Sequence, residues 1–181
     1  MLIDSATLQR LGSGIEVLLL DVDGVLTDGA IILDDNGVES KNFHVRDGSA
    51  IAWWRSLGKK TALVTGRRSR VVEVRAAELK IDYVRQGEVD KLPPIREILA
   101  AEGLTLAQAC YVGDDLQDLP ALRAVGFGAT VADACAEIRA EADYVCRLPG
   151  GRGAVREVVE LLLKIQGLWH TAVRKYFAEN S

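Results

Sequence analysis

The chain has 181 residues, 49% of them hydrophobic and 27% charged, ordinary values for a globular protein able to bury about 70% of its unfolded surface, and one domain over 1–181 is expected. Its 22 basic and 26 acidic residues leave a net charge of −4, so no bulk positive field draws it to nucleic acid or an anionic membrane surface. Apolar runs such as 17–20 and 161–163 fall far short of the ~20 residues of a membrane span. Cys110, Cys135 and Cys146 form an odd set without a C-x-x-C pair, which argues against a disulfide framework or structural zinc and for a reducing cytoplasm.

Short β-branched and leucine-rich runs at 16–20, 61–64, 82–84, 109–112, 128–131 and 144–146 read as strands. Between them apolar residues recur with helical spacing, as in Ile51, Trp54 and Leu57, in Leu92, Ile95, Ile98 and Leu99, and in Val155, Val158, Val159 and Leu162. The alternation predicts an α/β fold, a Rossmann-like doubly wound parallel sheet with helices on both faces. One segment breaks it: 30–33 and 39–45 flank Asp34-Asp35-Asn36-Gly37, and Asn-Gly is the strongest short hairpin signal. A β-hairpin flap over about 29–45 is therefore inserted after the first strand. A tail over about 167–181 begins at Gly167, and Leu168, Trp169, Val173, Tyr176 and Phe177 line one side of a short helix within 168–177.

The first strand ends in Asp21-Val22-Asp23-Gly24, two carboxylates that period two aims the same way, with Val22 turned into the core. Ligands in open parallel sheets bind beyond the carboxyl ends of strands, and Gly24 and Gly29 let the backbone turn sharply there. A second acidic cluster, Gly113-Asp114-Asp115-Leu116-Gln117-Asp118, also follows a short apolar strand. Acids gathered at neighbouring strand ends repel unless a cation neutralises them, and an all-oxygen set without nearby histidine suits Mg²⁺. Asp114, at the strand end itself, is the better ligand, whereas Asp115 and Asp118 read equally well as N-terminal helix charge. Between the clusters lie Thr65-Gly66-Arg67-Arg68, a strand end opening a helix, and Lys91 before another helix. Both suit a phosphoryl anion, although Thr-Gly-Arg alone reads more readily as a helix cap.

In this order, Asp21-Val22-Asp23-Gly24, Thr65, Lys91 and Gly113-Asp114-Asp115 resemble the four motifs of the haloacid dehalogenase (HAD) superfamily of phosphotransferases. Adding Val25-Leu26-Thr27-Asp28-Gly29, Val45-Arg46-Asp47-Gly48, Thr65-Gly66-Arg67 and Gly150-Gly151-Arg152-Gly153-Ala154-Val155-Arg156-Glu157, the chain is similar to the 3-deoxy-D-manno-octulosonate 8-phosphate phosphatase family. The resemblance implies a Mg²⁺-dependent phosphoric monoester hydrolase of lipopolysaccharide precursor biosynthesis, cytoplasmic and homotetrameric, whose hairpin stands in place of a cap domain. It implies Asp21 as nucleophile forming an aspartyl-phosphate, Asp23 as general acid and then base, and Thr65 and Lys91 holding phosphoryl oxygens. Mg²⁺ would sit among Asp21, the backbone carbonyl of Asp23, and Asp114. Gly29, Thr65, Gly66 and Lys91 are then expected at the substrate, with Arg46, Arg67, Arg75 and Arg152 offering guanidinium forks to the carboxylate of a sugar-acid phosphate.

Two other readings compete. A related nonulosonate 9-phosphate also carries a carboxylate at one end and phosphate at the other. Response-regulator receivers, which are not enzymes, also place acids, a Thr and a Lys around Mg²⁺ in a doubly wound fold. Receivers carry the phosphorylated aspartate on an internal strand after a separate acidic pair, whereas here the candidate nucleophile lies on the first strand.

Overall fold

A computed structural model describes residues 4–177; residues 178–181 of the expected tail lie outside that range. After helix α1 (Ser5–Gly12), capped by the Asp4 carboxylate on the amides of Ala6 and Thr7, come β1 (Val17–Leu20), the short pair β2 (Ile32–Leu33) and β3 (Glu39–Ser40), and α2 (Val45–Ser56). The chain continues through β4 (Lys60–Thr65), α3 (Arg70–Leu79), β5 (Tyr83–Gln86), α4 (Leu92–Ala101) and β6 (Ala109–Gly113). It then forms α5 (Leu119–Ala124), β7 (Phe127–Thr130), α6 (Ala136–Glu141), β8 (Tyr144–Val145), α7 (Ala154–Ile165) and α8 (Trp169–Val173).

Six strands form one parallel sheet in the order β5-β4-β1-β6-β7-β8. From β1 the chain moves one way through β4 to β5, then crosses back to β6 and moves the other way to β8. The sheet therefore reverses direction between β1 and β6, and right-handed crossovers place α2 and α3 on one face and α4, α5 and α6 on the other. Helix α7 returns to pack on α2. Because both faces are covered, Val17 to Leu20 are all fully buried, an unbroken apolar run in place of alternation. The loops after β1 and β6, which carry Asp21 and Asp114, open on the crevice at the reversal, the favoured ligand site of such sheets.

The elements differ from the sequence reading mainly at their ends. The hairpin pairs only Ile32 with Ser40 and Leu33 with Glu39, far less than 30–33 and 39–45, because Lys41 leaves the ladder for an ion pair and α2 already begins at Val45. Strand β5 begins at Tyr83 and runs to Gln86; the Asp82 carboxylate accepts from the Thr61 amide and hydroxyl, taking the place of a ladder bond. The helix expected over 168–177 divides into α8 and a 3₁₀ turn at Arg174–Tyr176. Its Trp169 and Tyr176 stack edge-on against Trp53 of α2, with centroids at 5.5 and 6.3 Å, so the tail closes over α2. Among the described residues, no helix is long and apolar enough to cross a membrane.

Candidate active site

Strand β1 stops at Leu20; Asp21 still donates its N–H to the Val112 carbonyl at 3.0 Å, whereas Asp23 lies on the turn beyond, so the two-residue alternation does not carry through. Asp21 is buried; one carboxylate oxygen accepts from the Val22 amide at 2.7 Å and the other lies 2.8 Å from Lys91 Nζ. Asp23 turns elsewhere. Its Oδ1 is 2.5 Å from Lys41 Nζ and its Oδ2 is 3.8 Å from Arg67 Nη1. Val22 is fully buried, as its place between the two acids requires.

Lys91 occupies the residue before α4 without a side-chain capping bond and is almost inaccessible, 2.8 Å from Asp21 and 2.5 Å from Asp118. Burial alone would lower its pKa, but the two carboxylates outweigh burial and hold it above the usual lysine range. Asp118 is wholly buried and accepts four donors, Lys91 Nζ and the Tyr111 hydroxyl on Oδ1, and the amides of Asp114 and Asp115 on Oδ2. These donors use its lone pairs. Asp118 is therefore a positioning group that fixes Lys91 and the turn after β6. Asp115 is exposed and caps the turn Leu116–Asp118 through the Leu116 amide. The two acids thus share one capping box, Asp115 accepting from the Leu116 amide and Asp118 from the Asp115 amide, so both stand at the start of this turn.

Oxygen atoms of Asp21, Asp114 and Asp118 lie within 4.8 Å of one another. Asp114 Oδ1 is buried without a hydrogen-bond partner, a costly state for a carboxylate unless a cation takes it up. Burial, reinforced by Asp21 and Asp118, pushes the Asp114 carboxyl up to about 7, and burial pushes Asp21 up to about 6 against the pull of Lys91. With Asp118 saturated by donors, the orphaned Asp114 oxygen and Asp21 form an oxygen-only donor pair that fits a hard divalent cation such as magnesium.

Thr65 ends β4, buried beside the crevice. Gly66 follows it, and Arg67 donates to Glu39 at 2.8 Å, half-exposed over Asp23. Gly29, with φ +75°, lies beside Gly24. The arginines separate into different places. Arg75 stacks over Phe43 at 5.6 Å and lines a cavity of about 380 Å³ with Lys41. Arg46 and Arg152 line a second cavity of about 480 Å³ beside α7, and Arg152 reaches Asp28 at 3.4 Å.

Sequence reasoning missed Lys41, Glu39 and Tyr111 and gave Asp47 no task. Asp47 is buried on the first turn of α2 and caps α7 across the fold, accepting from Gly153 N–H at 3.2 Å and Arg156 N–H at 2.8 Å. Gly150 and Gly151 then lie directly on the backbone of Gly24 and Thr27, where any side chain would overlap them. Spacing held one usable signal: Glu39 and Lys41, two residues apart in an extended segment, share a side.

The model of haloacid dehalogenase-like hydrolases matches residues 38–126. The 3-deoxy-D-manno-octulosonate 8-phosphate phosphatase KdsC of Escherichia coli K12 is 44% identical over 163 residues, 90% of this chain and 87% of that protein. The fold is similar to a 3-deoxy-D-manno-octulosonate 8-phosphate phosphatase from Moraxella catarrhalis, solved with magnesium ion, phosphate ion and a KDO molecule. That likeness has a TM-score of 0.93 at 39% identity, covering 96% of this chain and 99% of that one. The cobalt-bound deoxy-D-mannose-octulosonate 8-phosphate phosphatase of Haemophilus influenzae gives a TM-score of 0.86 at 37% identity, over 89% and 94% of the two chains.

Proposed function

The chain belongs to the 3-deoxy-D-manno-octulosonate 8-phosphate phosphatase family of haloacid dehalogenase-like hydrolases, and we propose that it hydrolyses this sugar-acid phosphate to 3-deoxy-D-manno-octulosonate and inorganic phosphate, a step of lipopolysaccharide precursor biosynthesis. The observation that carries the reading is the buried Asp21–Lys91–Asp118 array beside the unpartnered Asp114 oxygen.

Asp21 is the nucleophile. Its free lone pair attacks phosphorus, an Asp21 Oδ–P bond forms, and the bond from phosphorus to the sugar oxygen breaks. Asp23 gives its proton to that departing oxygen. It then takes a proton from the water whose oxygen attacks the aspartyl-phosphate, releasing phosphate and regenerating Asp21. Lys91 keeps Asp21 in one orientation and, with the Thr65 hydroxyl and the amides around Gly66, balances charge on the phosphoryl oxygens. Asp21, Asp114 and the backbone carbonyl of Asp23 would hold Mg²⁺, which when bound offsets the repulsion between an anionic nucleophile and an anionic phosphate.

The carboxylate end of the substrate requires cations outside this array. Arg67, on the loop after β4, stands 3.8 Å from Asp23, and Arg75, on α3, lines the cavity that Lys41 also lines; both are offered to that carboxylate, with Gly29 beside Gly24. Arg46 and Arg152 line the other cavity and are offered to the same carboxylate. Ile31, Ile32, Leu33 and Val38 are exposed on the hairpin, and a two-stranded hairpin is marginal alone; these features support a homotetramer in which hairpins pair. The cysteines are free and mostly buried, in keeping with a cytoplasmic enzyme. Phosphate release with Mg²⁺, compared as kcat/KM across this substrate, a nonulosonate 9-phosphate and a hexose 6-phosphate, tests the reading. The octulosonate ester is expected to lead; equal use of hexose phosphates would overturn the sugar-acid assignment.

A further inference from the structure

Lys41 leaves the hairpin just after β3 and turns inward, its side chain 1% exposed. The ammonium is 2.5 Å from Asp23 Oδ1 and 3.3 Å from Glu39 Oε1. Glu39 accepts in turn from Arg67 Nη2 at 2.8 Å and from the Ser69 hydroxyl, while Arg67 Nη1 stands 3.8 Å from Asp23 Oδ2. Each Asp23 oxygen thus faces a cation, and Glu39 ties the two cations together. Withdrawing an ammonium from water is costly unless its partners are fixed. Asp23 itself lies on a turn, without a ladder to hold it. Lys41 is the only group among the described residues at hydrogen-bond distance from its carboxylate, since 3.8 Å is beyond that range.

We propose that Lys41 is a positioning residue for the hydrolytic half of the reaction, holding the Asp23 carboxylate in the orientation from which it takes the proton of the attacking water. The hairpin thereby serves chemistry as well as assembly. An ammonium has donors only, so Asp23 Oδ1 acts as an acceptor toward Lys41, the arrangement of a base, while Arg67 adds only its charge at 3.8 Å from Oδ2. Glu39 and Arg67 brace Lys41 from the other side, linking hairpin, β1 turn and β4 loop. The inference rests on the acid–base reading of Asp23.

The distinguishing test is kinetic. In a two-step hydrolase kcat/KM reports events through phosphoenzyme formation, while kcat also includes phosphoenzyme hydrolysis. With an activated aryl phosphate, whose leaving group needs little protonation, Lys41→Met is expected to lower kcat about tenfold or more, out of the 10²–10⁴ available to a placed base. Its kcat/KM should stay within about twofold, and rapid quench should find phosphoenzyme accumulating at steady state. Lys41→Arg should accumulate less than Lys41→Met, and Lys41→Gln replaces the latter if it fails to fold. Equal loss in kcat and kcat/KM without accumulation would overturn the proposal and leave Lys41 a pin for the hairpin. Asp23→Asn serves as the reference: if it too shows no accumulation, the acid–base reading has failed, and the Lys41 proposal falls with it.

Discussion

Gly24 and Asp114 approach so closely that a Cβ on Gly24 would overlap Asp114 Oδ2 and stand 2.5 Å from its Cγ. Gly24 also has φ +85°, where a side chain costs about 1–2 kcal/mol. The first acidic loop is therefore seated directly on the second, which explains why a glycine follows Asp23.

Gly24→Ala is accordingly expected to cost activity more than stability. The added methyl displaces the Asp114 carboxylate, and a shift near 1 Å in a catalytic group costs about 100-fold. Steady-state phosphate release and a thermal melt check this; near-normal kcat/KM in the folded variant would contradict it.

Asp114 and Asp21 give the metal-free protein a specific pH dependence. Their folded pKa values, about 7 and about 6, lie above the ordinary 3.8, so the folded state holds protons that the unfolded chain has released. Stability must then fall as pH rises through about 4 to 7. Carboxylates that hydrogen bonds hold low, such as Glu39 by Ser69 and Glu102 by Tyr83, act in the opposite sense but only at more acid pH. In EDTA the melting temperature should drop between about pH 5 and about pH 8, Mg²⁺ should restore it most at the upper end, and Asp114→Asn should flatten the slope. A melting temperature that rises over this range in EDTA would refute the assignment.

Asp47 predicts a stability effect far from the crevice. Asp47→Ala leaves the Gly153 and Arg156 amides unpaired at the start of α7, a loss of about 1–3 kcal/mol. For a chain of this size that lowers the melting temperature by about 2–12 °C. Activity should decline too, because Gly150 and Gly151 rest on the Gly24 and Thr27 backbone. An unchanged melting temperature would show the cap to be dispensable.

What the sequence made legible was local. The apolar run of β1 and the acids after it announce a parallel strand ending in a site, and the turn chemistry of Asn36-Gly37 announces the hairpin. Asp118 was ambiguous because its partners, Lys91 and the Tyr111 hydroxyl, come from distant or oppositely turned positions, and burial of that cluster exists only once β6 and α4 have packed. Lys41 was hidden for the same reason: along the chain it is one charged residue in a solvated-looking hairpin, and only the fold brings it to Asp23. The strand at Asp82 shifted because a side chain can replace a ladder bond, which apolar patterning does not register. The arginines looked like one set in sequence, yet Arg75 and Arg152 line separate cavities.

The central claim is that Asp21 carries the phosphoryl group. Rapid quench with radiolabelled substrate and Mg²⁺, followed by peptide mapping, addresses it directly. Label is predicted on the peptide containing Asp21 in the natural chain, more abundantly in Asp23→Asn, and absent from a folded Asp21→Asn protein that has lost turnover. Label on another residue, or turnover persisting in Asp21→Asn, would contradict the account.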